Sequence, residues 1–444
     1  MGDLAKIFKA YDVRGVVPDE LDEPLAEAVG AAFVEVTGAS SIVVAHDMRD
    51  SSVPLAAAFV RGATGRGADV VHAGLGSTDL LYYASGTLGL PGVMFTASHN
   101  PAQYNGMKMC RAGAVPIGGD SGLIEIRDLA ASRTPGSGGG SVIEKDLLPG
   151  YAEYLHGLVD LSAIRPLKVV VDAGNGMGGH TVPAVFAGLP IDLVPLYFEL
   201  DGSFPNHEAN PLEPANLVDL QRAVVESGAD LGLAFDGDAD RCWVIDERGE
   251  SVSPSAVTAL VAVRELAKNP GATIIHNLIT SLGVPEIVGE HGGVAERTRV
   301  GHSFIKAEMA RTGAVFGGEH SAHYYFRDFW FADSGMLAAM HVLAALGEQD
   351  EPLSALVSGY SRYHASGEIN STVADQDAAL AKVREAFAGR GTFDQLDGLT
   401  VTGSGWWFNL RASNTEPLLR LNAEAAEESK MTAIRDEVLA VVRS

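Results

Sequence analysis

The stretch Gly92-Val-Met-Phe-Thr-Ala-Ser-His-Asn-Pro101 ends a short apolar run with a hydroxyl, an imidazole and an amide. Because Pro101 cannot continue the hydrogen-bond ladder of a central strand, we predict that the chain turns directly after this run. The turn places Ser98 at the carboxyl end of a strand, which is where α/β proteins do their chemistry. Ser98 is therefore a candidate nucleophile, and a polar turn after an edge strand is the alternative.

Strands and helices are predicted to alternate on both sides of this stretch. The spacing predicts helices over 22–37, 53–66, 250–266 and 279–291, and strands over 41–45 and 69–72, which is typical of βαβ units and a largely parallel sheet. The stretches 42–47, 169–172 and 273–277 each place a polar residue after an apolar strand, and each precedes a predicted helix. This loose repeat indicates that three successive domains share one α/β plan.

Length and composition limit the classes of protein that fit. A chain of 444 residues has the length of three or four domains, and the Gly/Ser-rich segment 134–141 is predicted to end the first. The formal charge of −25 disfavours nucleic acid and anionic lipid as partners. Only Cys110 and Cys242 occur, and no apolar signal or membrane-spanning segment is found, so we expect a cytoplasmic protein.

Three carboxylates follow a second apolar strand. Asp236, Asp238 and Asp240 alternate within Asp-Gly-Asp-Ala-Asp-Arg241, and acidic side chains on one side of a loop repel each other unless a cation lies between them. Oxygen ligands favour Mg²⁺ or Ca²⁺. An EF-hand is disfavoured, because Arg241 stands where its loop needs glycine and because the flanks, 231–235 and 243–246, are predicted strands. A solvated acidic turn remains the alternative.

Other polar stretches bear on phosphate or sugar binding. Lys108 could supply charge near Ser98 or be a surface residue. Gly-Glu319-His-Ser321-Ala-His323 follows a predicted strand at 314–316; if extended, its alternate side chains share a face that could bind sugar hydroxyls, with a polar edge strand as the alternative. Arg411-Ala-Ser-Asn-Thr-Glu-Pro417 combines a guanidinium, hydroxyls and an amide in a turn suited to phosphate.

A literal G-x-G-x-x-G pattern occurs at Gly174–Gly179 after a predicted strand. It keeps a nicotinamide-dependent dehydrogenase open as an alternative. Asp172 would repel a pyrophosphate there, so a tight structural turn is the favoured interpretation.

Taken in order, the Ser98, Asp236, Glu319 and Arg411 stretches resemble those of the α-D-phosphohexomutases, most closely the bacterial phosphomannomutase/phosphoglucomutase branch. The resemblance covers the chain from Tyr11 to Thr415. It implies an α/β fold with four domains around a central cleft: three similar α/β domains with mixed sheets and a smaller C-terminal α+β domain. We place the boundaries at 1–141 (phosphoserine loop), 142–249 (metal-binding loop), 250–365 (sugar-recognition loop) and 366–444 (phosphate-binding domain).

The resemblance also implies a reaction. Hexose 6-phosphate and hexose 1-phosphate would be interconverted through a phosphoserine at Ser98 and a hexose 1,6-bisphosphate, which also serves as activator. Mg²⁺ would be held by the Ser98 phosphate and the three aspartates. The other implied catalytic residues are His99, Lys108, Arg14 and His323. The implied substrate-binding residues are Tyr11, Asn100, Arg241, Gly301, His302, Glu319, Ser321, Arg411, Ser413, Asn414 and Thr415.

Several matters stay open at this level. Relatives often carry a lysine where Asn277-Leu-Ile279 stands, and Ala322 replaces a common glycine, so mannose and glucose are not distinguished. Lys108 and His323 are both candidates for the general base. A Mg²⁺-dependent sugar-phosphate phosphatase is the alternative function. We expect small hexose phosphates as the only partners of a monomer or homodimer, and supply of GDP-mannose precursor is the pathway that the resemblance suggests.

Overall fold

The computed structural model describes residues 4–132, 136–412 and 418–444, without the side chain of His302. It contains two compact units, Met1–Val252 with Ser321–Ser354 and Ser253–His320 with Ala355–Ser444. We call them unit 1 and unit 2 and describe each by itself. Within the described ranges, none of the helices has the length and apolar character needed to cross a bilayer.

Unit 1 begins with a mixed sheet in the order β1-β5-β4-β2-β3-β7, with β6 beside β5. Its strands are β1 (Val13–Val16), β2 (Ser41–His46), β3 (Asp69–Leu75), β4 (Gly92–Phe95), β5 (Tyr104–Arg111), β6 (Val115–Pro116) and β7 (Val142–Glu144). Its helices are α1 (Glu23–Thr37), α2 (Ser52–Gly65), α3 (Thr78–Leu88) and α4 (Leu123–Ala131). Asp22 caps α1 by accepting from Leu25 N, and left-handed Gly38 ends the helix.

The second sheet of unit 1 has the order β12-β11-β10-β8-β9. Its strands are β8 (Leu167–Asp172), β9 (Ile191–Leu196), β10 (Leu231–Phe235), β11 (Cys242–Asp246) and β12 (Ser251–Val252). The helices of this part are α5 (Leu148–Leu158), α6 (Gly178–Phe186) and α7 (Val218–Ser227). Every residue of β10 and β11 is buried, as expected for strands covered on both faces.

The third predicted domain contributes to both units. In unit 2, β13 pairs in parallel with both β14 and β15; in unit 1, β16 and β17 form an antiparallel pair. The strands are β13 (Thr273–Asn277), β14 (Val294–Thr298), β15 (Phe316–Gly318), β16 (Tyr324–Phe326) and β17 (Ala332–Asp333). The helices are α8 (Pro254–Lys268), α9 (Gly283–Glu290), α10 (His302–Thr312), α11 (Gly335–Gly347) and α12 (Leu353–Ser358).

The C-terminal part of unit 2 is an antiparallel sheet in the order β18-β22-β21-β20-β19. Its strands are β18 (His364–Thr372), β19 (Thr392–Asp394), β20 (Leu399–Gly403), β21 (Trp406–Ala412) and β22 (Leu418–Ala425). Its helices are α13 (Gln376–Ala386) and α14 (Glu428–Val442). Val383, Phe387, Phe408 and Val438 are fully buried in its core, so this α+β part has a core of its own.

The predicted repeat is confirmed by the strand pairing. β2 has parallel neighbours β3 and β4, β8 has β9 and β10, and β13 has β14 and β15. The fold is therefore three α/β domains with mixed sheets and a C-terminal α+β domain. The loops after β4, β10 and β15, which are topologically equivalent, carry Ser98, the aspartates and Glu319 respectively.

Three predicted boundaries were wrong in detail. The helix predicted over 250–266 begins at Pro254, because Ser253 caps it. The helix predicted over 279–291 begins only at Gly283, since Thr280 Oγ1 donates to Asn277 Oδ1 and holds a turn there. The strand predicted at 314–316 corresponds to β15, which begins two residues later, at Phe316.

Candidate active site

Ser98 lies in the turn after β4, and its backbone is left-handed with φ 50°. The side chain is buried and its hydroxyl donates to Asp236 Oδ2 at 2.8 Å. Thr96 Oγ1 accepts from Ser98 N at 2.9 Å and helps to hold this conformation, which costs energy in a residue other than glycine. The loop therefore directs the hydroxyl at a carboxylate from a different domain.

The three aspartates converge in the turn after β10. Asp236, Asp238 and Asp240 each offer an oxygen, and these oxygens all lie within 4.8 Å of one another. The turn reaches the serine loop because position 237 is glycine: a Cβ on Gly237 would lie 2.4 Å from Ser98 O. β10 and β11 flank this turn, so the geometry is not that of an EF-hand, as predicted.

Two cations partly neutralise this acidic group. Lys108 Nζ, from β5, donates to Asp238 Oδ2 at 2.7 Å and to Asp240 Oδ2 at 2.5 Å. Arg241 Nε donates to Asp236 Oδ2 at 2.9 Å, and its backbone N donates to Asp236 Oδ1 at 3.1 Å. Although burial opposes its charge, Asp238 and Asp240 raise the pKa of Lys108.

Protonation differs among the carboxylates because their partners differ. Burial raises the pKa of Asp236 to about 7, with Asp240 and Asp238 adding to the rise and Arg241 opposing it. Burial acts in the same sense on Asp238, but Lys108 and Thr78 outweigh it and lower that pKa. The group therefore holds less negative charge than three aspartates would carry in water.

The donor set fits a hard divalent cation. Asp238 Oδ1 and Asp240 Oδ1 are buried and have no hydrogen-bond partner among the described residues, so each leaves an oxygen available to an ion. All candidate ligands of this group are oxygen atoms, which suits Mg²⁺. Asp240 also belongs to a second group with His323 and Asp333.

His99 is held as a neutral imidazole next to the serine. Its Nδ1 lies 3.3 Å from Ser98 Oγ and 2.5 Å from Arg241 Nη2. Burial, Arg241 and Arg14 lower the pKa of His99 to about 2. The guanidinium donates to this nitrogen, so Nδ1 acts as a hydrogen-bond acceptor beside Ser98 Oγ.

The side chain of Arg14 contacts Asn100 in the serine loop. Arg14 Nη1 donates to Asn100 Oδ1 at 2.6 Å, and Nη2 donates to Asp12 Oδ2 at 2.5 Å. Tyr11 lies in the turn before β1, close to Gly118.

The segment from Glu319 to His323 is not extended, so the prediction that alternate side chains share a face was wrong. Residues 320–322 form a turn with Ala322 at φ 61°. In unit 1, Ser321 Oγ lies 3.2 Å from His323 Nδ1, and His323 Nε2 is 3.8 Å from Asp240 Oδ1.

The remaining predicted residues belong to unit 2. Glu319 Oε1 accepts from Asn277 Nδ2 at 3.3 Å and from Gly301 N at 3.2 Å. Arg411 Nη2 donates to Glu368 Oε2 at 3.0 Å. Ser413, Asn414, Thr415 and the side chain of His302 lie outside the described residues.

Two residues that the sequence analysis missed form hydrogen bonds with the aspartate group or with the serine loop. Thr78 Oγ1, in the first turn of α3, donates to Asp238 Oδ2 at 2.5 Å. Arg49 is a buried guanidinium in the turn after β2, and it is bound to the serine loop. The turn after β2 precedes a helix, just as the Gly174–Gly179 turn does. This repeat of strand, turn and helix was the sequence signal that could have indicated a role for the turn that contains Arg49.

The Gly174–Gly179 pattern is explained by packing. A Cβ on Gly179 would lie 2.2 Å from Phe198 O, and one on Gly176 would lie 2.7 Å from Gly237 O. Asp172 accepts from Gly174 N at 2.8 Å and pairs with His207. These glycines permit close backbone approach, which supports the structural interpretation.

Comparison with known proteins gives the same family along the whole chain. Models described as phosphoglucomutase/phosphomannomutase alpha/beta/alpha domains I, II and III match residues 5–134, 149–249 and 253–363, and the C-terminal domain model matches 368–441. The chain is 39% identical to a phosphomannomutase of Escherichia coli, covering 97% of each. It is 40% identical to a Xanthomonas campestris protein named phosphohexose mutases, again covering 97% of each.

A solved structure agrees. A phosphoglucomutase/phosphomannomutase family protein from Burkholderia thailandensis matches with a TM-score of 0.90 and 34% identity, covering 98% of this chain and 97% of that one. These relatives indicate a mutase and give the phosphatase alternative no support. Matched in all four domains and by relatives over nearly its full length, the chain belongs to the phosphoglucomutase/phosphomannomutase family.

Proposed function

We propose that this enzyme reversibly interconverts hexose 6-phosphate and hexose 1-phosphate through a phosphorylated Ser98 and a hexose 1,6-bisphosphate intermediate. The observation that carries the proposal is the 2.8 Å contact of Ser98 Oγ with Asp236 Oδ2, inside a group of three buried aspartates and two cations. A hydroxyl placed in this way is suited to carry a phosphoryl group in a site whose charges are already arranged.

We propose that Ser98, once phosphorylated, holds Mg²⁺ together with Asp236, Asp238 and Asp240. The Oδ1 atoms of Asp238 and Asp240, which have no hydrogen-bond partner among the described residues, support this assignment. When bound, the ion would neutralise charge on the phosphoryl oxygens. The proposal also includes the division into four domains given in the sequence analysis. In that division the first domain carries the serine loop and the second carries the aspartate loop.

The protein's own cations have separate tasks in this proposal. Lys108 and Arg241 neutralise the transferring phosphoryl group, and Arg14 fixes Asn100 beside it. His99 keeps Ser98 oriented. Of the two base candidates, His323 is favoured, because Lys108 donates to two carboxylates that raise its pKa and keep its ammonium group protonated.

Substrate recognition is assigned to the other predicted residues. Arg411, Ser413, Asn414 and Thr415 would bind the phosphate that is not reacting. Glu319 and Ser321 would bind sugar hydroxyls. Gly301, His302 and Tyr11 would set the orientation of the sugar.

We propose mannose phosphate as a substrate, supplying a GDP-mannose precursor in the cytoplasm, with glucose phosphate also accepted. The support is the phosphomannomutase name of the relatives, and the buried free thiols of Cys110 and Cys242 agree with a reducing compartment. Leu278 and Ile279, at the place where relatives often have lysine, pack on Trp407. This part of the sugar-recognition side therefore has no lysine here, and the proposal includes both sugars for that reason.

The test is a coupled assay of mannose 1-phosphate and glucose 1-phosphate side by side, with Mg²⁺ and with and without hexose 1,6-bisphosphate. We expect both sugars to be isomerised, faster with the bisphosphate. Release of inorganic phosphate in place of isomerised sugar phosphate would overturn the mutase assignment.

A further inference from the structure

The side chain of Arg49 occupies an unusual position behind the serine loop. It lies in the turn after β2, is 1% exposed, and shares its charge with Asp47, whose Oδ2 is 3.2 Å from Arg49 Nε. Asp47 is itself fixed by Ser52 Oγ at 2.5 Å and by Arg49 N at 3.0 Å. A buried ion pair of this kind is costly unless its remaining donors are bonded.

The other four donors of Arg49 all bond to backbone carbonyls of one loop. Nη2 donates to Ser98 O at 2.9 Å and to Asn100 O at 2.7 Å. Nη1 donates to Pro101 O at 2.9 Å and to Tyr104 O at 3.0 Å. With the Asp47 bond, every N–H of the guanidinium is used, so Arg49 holds the loop from behind and donates nothing to Ser98 Oγ.

The loop depends on these bonds for its shape. Within it the backbone makes two short-range hydrogen bonds, Asn100 N to Ala97 O and Tyr104 N to Pro101 O. Ser98 is left-handed, a conformation that persists only when surrounding contacts determine it. A planar guanidinium fixes four peptide groups in one geometry, which an ammonium cannot do with three donors.

A loop of the second predicted domain covers Arg49. The ring of Phe204 lies 5.0 Å from the guanidinium carbon. A Cβ on Gly202 would lie 2.6 Å from Arg49 Cα, so glycine permits this close approach. The domain that carries the aspartates therefore also holds the residue that shapes the serine loop.

We propose that Arg49 is a positioning residue for phosphoryl transfer, which sets the direction of Ser98 Oγ by binding the carbonyls of residues 98, 100, 101 and 104. This inference rests on the proposed mutase function. A loop that relaxes by about 1 Å is expected to slow transfer about 100-fold while substrate binding persists.

The test compares Arg49→Lys with a matched control, Arg165→Lys. Arg165 also joins an aspartate, Asp230 at 2.9 Å, to backbone carbonyls of unit 1, at Gln349 and Pro166. For Arg49→Lys we expect kcat to fall about 100-fold per folded molecule with KM within about twofold. For Arg165→Lys we expect no change in either constant.

Hydrogen exchange supplies a readout that does not need activity. Peptides covering 96–106 should exchange at least ~10-fold faster in Arg49→Lys than in wild type, and no faster in Arg165→Lys. If both variants lose activity and protection equally, or if Arg49→Lys matches wild type, the positioning role is overturned. If wild type has no mutase activity, the proposed function fails while the exchange comparison still tests how Arg49 holds the loop.

Phe204→Leu serves if Arg49→Lys does not fold. It removes the ring over the guanidinium and keeps every hydrogen bond of Arg49. We expect a fall in kcat of about 10-fold with faster exchange over 96–106. Unchanged kcat and exchange would contradict the proposal.

Discussion

Ser98 Oγ donates to Asp236 Oδ2 across 2.8 Å, although 138 positions separate the two residues in the sequence. The contact joins the loop after β4 to the loop after β10. Because these strands hold equivalent places in two domains with the same plan, the serine and the acidic group meet at corresponding edges of their sheets. Two copies of one fold thus supply complementary halves of one site.

Ser98→Ala is expected to abolish turnover, by a factor of about 10⁴ or more, while hexose phosphate still binds. The reason is that the alanine side chain has no oxygen to carry a phosphoryl group. A coupled mutase assay measures turnover, and calorimetry measures binding. Ser137→Ala, at an exposed position far along the chain from both loops, is the control and should behave as wild type. Retained mutase activity in Ser98→Ala would refute the nucleophile assignment.

Lys108→Met should separate metal binding from catalysis. The ammonium now donates to Asp238 and Asp240, so its removal frees two carboxylate oxygens. We expect Mg²⁺ to bind about 10-fold more tightly and turnover to fall about 100-fold. Calorimetry with Mg²⁺ and steady-state kinetics measure the two effects. Lys268→Met, which breaks a pair with Glu265 instead, should change neither. Weaker Mg²⁺ binding together with unchanged turnover is the contrary result.

Asp79 predicts a pH-dependent stability difference. Its Oδ2 atom accepts from Tyr151 and from Ser334, each at 2.7 Å, and burial raises the pKa of the carboxyl group from 3.8 to about 6. The folded state therefore keeps the proton that the unfolded state loses, and stability falls as pH rises from 3.8 to about 6. Asp79→Asn cannot titrate, so between pH 4.5 and 7.5 its stability should improve relative to wild type by roughly 2 kcal/mol.

Thermal melts of both proteins across this pH range provide the measurement. Asp120→Asn, at an exposed position, is the matched control and should track wild type at every pH. A wild-type curve parallel to that of Asp79→Asn would show that the buried carboxyl does not carry the effect.

Gly179→Ala tests the packing interpretation of the glycine-rich turn. The added Cβ would lie 2.2 Å from Phe198 O, a backbone atom that cannot move aside cheaply, so we expect a loss of about 2–3 kcal/mol of stability. Gly157→Ala in α5 meets nothing within 4 Å and should stabilise the protein by about 0.5 kcal/mol or more. Thermal melting distinguishes the two. Calorimetric binding of a nicotinamide dinucleotide by wild type, lost in Gly179→Ala, would revive the dehydrogenase alternative.

Much of the fold was predictable because it rests on local signals. Apolar runs of strand length, alternating with helical segments, predicted the elements within a few residues, and Pro101 predicted the turn that carries Ser98. Boundaries failed where side chains compete with the backbone: Asn277 and Thr280 delay α9, and the turn at Ala322 breaks the expected alternation.

By itself the sequence determined the chemical groups and their local presentation. It specified a serine at the end of a strand and three alternating aspartates, since each depends on residues only a few positions apart. The order of the motifs gave the family resemblance that implies four domains. The tertiary structure alone decided the pairings across domains: Ser98 with Asp236, Lys108 with two aspartates, and Arg49 with the carbonyls of the serine loop. Contacts between residues that are distant in the sequence depend on how whole sheets and helices pack. Local conformational preferences of the chain do not determine that packing.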